Sequence, residues 1–250
     1  MFEAIGITPI ELAFLLAGAL AGGIVNGMTG FGTGLTAMPF WLQALPTATA
    51  SQLSASAGIA GQLTTLPKIW HAIDWRRLAP MVIAGLFGVP VGAQLVPYVD
   101  PVVFKRGVAF ILIAYASVML LAGHRFSIAP GDLGAEMVVG FIGGVLGGLA
   151  GLSGVAPTIW AALKSWTKEH RRSVFQAYNL TILAAMFLAH IWLGLVTKTM
   201  LVCLVLALPA TFLGVSLGHR LYAGLSDRRF DRVVHWLLLA AGVVLLATVR

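Results

Sequence analysis

Between Glu11 and Lys68 the chain runs for 56 residues without a single Asp, Glu, Lys or Arg. Further charge-free runs separate Arg77 from Asp100, Arg106 from Arg125, Glu136 from Lys164, Arg172 from Lys198, Lys198 from Arg220, and Arg232 from Arg250. A hydrocarbon core about 30 Å thick takes roughly 20 apolar residues as helix, so each run approximates one span or a multiple of it. Lipid offers a backbone no hydrogen-bond partner, and runs this long without period-2 alternation exclude a β-barrel. The composition agrees, with 59% hydrophobic and 10% charged residues, where a soluble domain carries about a quarter charged. The expected fold is an all-α polytopic membrane protein.

A formal charge of +7 could suggest nucleic acid, but the basic residues fall in short loops between apolar runs, where membrane orientation accounts for them. The Lys164–Arg172 stretch reads the same way, as a membrane-surface loop. Glu3 and Glu11 stand where a signal peptide would be basic, so the first apolar segment is expected to be a retained helix. Cys203 is the sole cysteine, which excludes an intrachain disulfide and reads as a small buried residue.

Internal repetition organises the chain. Gly22, Gly23, Gly27 and Gly30 match Gly143, Gly144, Gly148 and Gly151 at an offset of 121. Gln52 matches Gln176 at 124, and Gly88, Gly92, Leu95, Phe104 and Arg106 match Gly214, Gly218, Leu221, Phe230 and Arg232 at 126. The ordered drift points to a duplication, with residues 1–125 and 126–250 as the two repeats. Ten apolar elements are expected, near 9–28, 30–46, 47–66, 78–98, 102–123, 133–150, 152–165, 173–195, 198–219 and 230–249. Five elements per half would invert the second half. With ten crossings, four of the 16 Lys and Arg (Lys105, Arg106, Lys198, Arg250) fall on one side, together with both termini, and 12 on the other. If elements two and seven dip in and return, eight helices cross and the split is 10 against 6. The first arrangement fits the positive-inside rule better. Only 31 residues lie between Asp132 and Lys164, too few for two full spans. Elements one and two, and six and seven, are therefore expected to be short, broken or re-entrant helices meeting at depth.

Those meeting points carry the candidate site. Residues 26–34 read NGMTGFGTG and 147–154 read GGLAGLSG, each followed by a proline, Pro39 or Pro157. Glycine lets a backbone leave the helix, and a proline can begin the next one because its missing amide is unpaired there anyway. A helix starting inside the membrane presents free N–H groups and a partial positive charge, which suits a small anion. Gly30, Gly32, Gly34, Gly151 and Gly154, with Asn26, Thr29, Thr33 and Ser153, are the expected substrate-binding residues at the breaks. Gly18/Gly22, Gly23/Gly27, Gly140/Gly144 and Gly144/Gly148 are small-xxx-small pairs and read as packing. The next element in each half carries amides and hydroxyls, Gln52, Ser54 and Ser56 in one and Gln176, Asn179 and Thr181 in the other. Gln52 with Ser56, and Gln176 with Asn179, share a helix face and are candidate anion donors; interhelical bonding is their alternative role.

Acidic residues are expected in loops (Asp74, Asp100, Asp132, Asp227, Asp231) or near segment ends (Glu11, Glu136), which argues against a cation pump or cation channel. His190 lies within the eighth element and is a candidate proton-linked gate. Enzyme motifs fail: Leu35 breaks a GxGxxG reading, Ser153 stands in GLSG rather than GxSxG, and neither a Walker A sequence nor HExxH occurs. No cofactor and no metal is expected.

On its two glycine-rich segments, Gly30–Gly34 with Pro39 and Gly148–Gly154 with Pro157, the chain resembles the sulfite exporter TauE/SafE family. The resemblance covers nearly the whole length and departs from the family's second motif at Val155 and Ala156, where further glycine is common. It implies transport of sulfite or a related organosulfonate across the bacterial inner membrane. The partners expected are that anion, membrane lipid and, as a candidate, a second copy of the chain. A channel-like anion pore and a non-transporting scaffold are the competing readings, and an intramembrane enzyme is the weakest.

Overall fold

The computed structural model describes residues 8–65, 73, 75–122, 133–162, 168–222 and 227–248. Among these, ten helices follow in order: α1 (Pro9–Thr29), α2 (Thr33–Ala44), α3 (Thr47–Thr65), α4 (Trp75–Leu95), α5 (Pro101–Ala122), α6 (Leu133–Ala150), α7 (Val155–Ala162), α8 (Lys168–Trp192), α9 (Lys198–Tyr222) and α10 (Asp227–Thr248). The ten expected elements are all present, and no strand occurs among the described residues. Among the described residues, six helices are long and apolar enough to cross a membrane: α1, α4, α5, α6, α8 and α9. The expected positions Lys68, Asp74, Arg125, Asp132 and Lys164 lie outside the described residues.

Several boundaries differ from the expectation. Helix α8 begins at Lys168, so the second half of the anticipated surface loop is helical, and Asp227 and Asp231 fall inside α10 rather than in a loop. Asp100 is where it was expected, capping α5 by accepting from the Val102 and Val103 amides at 2.8 and 3.1 Å. At the other end of the chain, Thr8 and Glu11 form a capping box ahead of Pro9, which fixes the start of α1.

Helices α1 and α2 fold into an antiparallel hairpin. Gly30 and Gly32 hold left-handed φ values of 80° and 88°, which a side chain would oppose, and the chain reverses between them. Asn26 Nδ2 donates to Thr33 Oγ1 at 2.7 Å near the turn, and Trp41 Nε1 donates to the Leu15 carbonyl at 3.0 Å lower down. Helices α6 and α7 repeat the design, turning at Gly151 (φ 68°), with Gly147 against Ser153 and Gly143 against Pro157. With 12 residues, α2 is about 18 Å long, too short to cross the core alone, and α7 is described over 8 residues, about 12 Å. Pro157 sits in the first turn of α7 as expected. Pro39 does not start a helix: it lies inside α2, which glycine alone has allowed to begin at Thr33.

Two glycine seams hold the bundle together. Helix α9 lies parallel to α1, with Gly23 and Gly27 against the Thr211 and Val215 carbonyls, and Gly214 and Gly218 against those of Leu20 and Ile24. Helix α6 lies parallel to α4 in the same way, with Gly140, Gly144 and Gly148 against the Met81, Gly85 and Val89 carbonyls. The packing role expected of these glycines is the one they have. Without an interhelical hydrophobic force in lipid, this close backbone approach supplies the dispersion energy of association. Helix α3 runs antiparallel to α8 through the middle, and residues 51–58 of α3 are buried throughout, which lets it be less apolar than its neighbours.

Candidate functional site

The two hairpin tips touch. A Cβ built on Gly34 would lie 2.6 Å from the Gly151 carbonyl oxygen, and one on Gly154 would lie 2.9 Å from the Phe31 ring. Between them is a small pocket lined by Phe31, Gly32, Thr33, Gly34, Leu35, Gly151, Leu152, Gly154, Asn179 and Leu183. Its volume is about 10 Å³, enough for a single water molecule.

The donors around the pocket come from three helices. The first-turn amides of Thr33, Gly34 and Leu35 have no helical acceptor, and no side chain caps α2. The macrodipole of α2 adds a partial positive charge at the same end. From α8, Asn179 presents its side chain, whose Oδ1 accepts from the Ser153 hydroxyl. Behind the lining, from α3, stands Ser54, fully buried, with its Oγ 2.5 Å from a Cβ built on Gly34 and 2.6 Å from one built on Gly151.

Of the residues expected at the site, Gly32, Thr33, Gly34, Gly151, Gly154 and Asn179 line the pocket. Asn26 and Ser153 stand one hydrogen bond behind it, orienting Thr33 and Asn179. Thr29 and Gly30 build the turn: Thr29 Oγ1 lies 2.8 Å from the Val25 carbonyl and 2.7 Å from the Phe31 carbonyl, with a single proton to donate to one of them, and Gly30 caps α1 by donating to the Asn26 carbonyl at 2.7 Å. The glutamines are elsewhere. Gln52 Nε2 donates to the Leu195 carbonyl at 2.7 Å, just beyond α8, and Gln176 Nε2 to the Gln62 carbonyl at 3.3 Å, near the end of α3. Ser56 turns back onto its own helix, donating to the Gln52 carbonyl. His190 is two residues from the end of α8 rather than deep within it, and its Nε2 lies 3.2 Å from the Gly148 carbonyl.

Two residues of the lining, Phe31 and Leu152, were not singled out by the sequence, and Ser54, named beside Gln52 and Ser56, was left out of their pairing. Ser54 was on the right helix, but spacing alone paired Gln52 with Ser56. Phe31 was read as part of a glycine motif, yet it closes one wall, stacked edge-to-face on Phe175 at 6.1 Å. Leu152, at the matching place in the second hairpin, closes another.

The site is uncharged: its lining holds no Asp, Glu, Lys or Arg. An anion held by amides and hydroxyls avoids the desolvation penalty of a buried cation, and remains free to leave. The sulfite exporter TauE/SafE family model matches residues 14–245, reaching into all ten helices. No curated protein and no solved structure matches the chain. Multi-pass helices and this match describe a membrane transporter, and the chain belongs to the sulfite exporter TauE/SafE family.

Proposed function

We propose that this protein moves a small sulfur oxyanion, sulfite or an organosulfonate, across the bacterial inner membrane by alternating access about the pocket between the two hairpin tips. The observation that carries the reading is the start of α2, without a side-chain cap, opening onto a small pocket that the tip of a second broken helix borders. Discontinuous helices at corresponding places in two repeats are the usual location of a transporter's substrate.

The packing supports two oppositely oriented halves. Helix α1, first in its half, lies parallel to α9, fourth in the other, while α6 lies parallel to α4. Exchanging the halves reproduces the same pairs. The pocket's size supports alternating access over an open pore: room for one water does not admit a sulfite until the hairpins part.

The test is uptake of labelled sulfite into proteoliposomes, with Thr33→Val and Asn179→Leu as site variants that keep volume. The parent protein is expected to move sulfite, and both folded variants to lose most of the flux. Absence of sulfite and sulfonate flux from well-folded parent protein would sink the proposal.

A further inference from the structure

Hydroxyls buried in membrane helices commonly donate to the carbonyl four residues back, and this protein follows that habit at Thr36, Ser56, Thr158, Thr181 and Thr211. Ser51 does the alternative and bonds another helix, donating to the Leu149 carbonyl at 2.7 Å. Ser54, one turn further along the same face, does neither. Its Oγ is fully buried and has no protein hydrogen-bond partner. It is wedged between Gly34 and Gly151, the two glycines at which the hairpins meet.

A buried hydroxyl left without a partner is destabilising, and rotation to the Ala50 carbonyl would have been the ordinary remedy. The side chain instead points at the first turn of α2, where the Gly34 amide is also without a helical acceptor. Both neighbours are glycine, and a methyl group on either would run into this oxygen. Ser54 Oγ thus stands directly behind Gly34 and Gly151, two residues that line the pocket together with Asn179.

We propose that Ser54 is a substrate-binding residue, whose hydroxyl donates to the third oxygen of a trioxo sulfur headgroup and so distinguishes it from a carboxylate. This rests on the transport reading above and deepens it. A pyramidal sulfite or a sulfonate offers one oxygen to each donor. A planar carboxylate has two, which the α2 amides and Asn179 satisfy, leaving Ser54 unused. A hydrogen bond from a neutral donor to a charged acceptor is worth roughly ten- to hundredfold in affinity.

The experiment is calorimetric titration of purified full-length protein with sulfite, methanesulfonate and acetate, together with Tm, for the parent, Ser54→Ala and Ser54→Cys. The parent is expected to bind methanesulfonate more tightly than acetate. Ser54→Ala should weaken sulfite and methanesulfonate roughly ten- to hundredfold, leave acetate nearly unchanged, and hold or raise Tm because an unpaired buried hydroxyl is gone. Ser54→Cys, a weaker donor of similar size, should fall between the two and serves if the alanine variant does not fold. Unchanged methanesulfonate affinity overturns the proposal, and so does an equal loss for all three anions with a lowered Tm. If the parent binds neither sulfur anion, the transport reading itself has failed.

Discussion

Gly34 of the first hairpin lies against the carbonyl of Gly151 in the second, so closely that a single added methyl carbon would stand 2.6 Å from that oxygen. This contact joins two segments more than a hundred residues apart at the pocket.

Gly34→Ala should therefore lower stability by about 1–3 kcal/mol through overpacking, and reduce sulfite flux further than stability alone explains. Gly151→Ala adds backbone strain, because φ there is 68°, and should be the more damaging of the two. Denaturation in detergent and proteoliposome flux, measured on the same preparations, check both. A Gly34→Ala protein with parental stability and parental flux would show that the tips do not need to meet.

Asn179 depends on Ser153, which donates to its Oδ1 and thereby directs its donor end. Ser153→Ala removes one hydroxyl and little volume, and should leave the fold nearly intact while costing about 1 kcal/mol in sulfite affinity, roughly fivefold. Asn179→Leu should cost more, since it removes the donor itself. The order matters: a larger binding loss in Ser153→Ala than in Asn179→Leu would contradict the orienting role.

Much of this was legible in the residues. Charge-free runs placed ten helices because lipid excludes ionised side chains, and glycine clusters placed both breaks because left-handed φ values need them. What was not legible was direction. Gln52 and Gln176 match across the repeats, yet each serves the end of the other's helix, donating to backbone carbonyls beyond the pocket. Helical spacing gives which residues share a face but not which face the bundle turns inward, so Ser56 was favoured over Ser54. Pro39 misled for a related reason: a proline marks a helix start only where the preceding turn is also read correctly.

The same geometry predicts that Gln52→Ala leaves sulfite affinity near the parental value. Its loss removes one interhelical bond, worth about 0.6 kcal/mol in a membrane protein, and should appear as a small drop in Tm. Titration calorimetry beside a thermal melt separates these effects. A strong affinity loss in Gln52→Ala would return the glutamine to the binding site.

The glycine seams give the sharpest contrast available in one residue type. Gly27 abuts the Val215 carbonyl and Gly144 the Gly85 carbonyl, and both neighbours are backbone that cannot swing aside. Gly107, in the second turn of α5, has no atom within 4 Å of a built Cβ and faces outward. Alanine at Gly27 or Gly144 must push two helices apart and should lower stability by about 1–3 kcal/mol. Alanine at Gly107 meets nothing, removes unfolded-chain entropy, and should be neutral or stabilising by about 0.5–1 kcal/mol. Thermal melts of the three variants in one detergent decide it. Equal responses at all three positions would mean the seams are not where this bundle is held together.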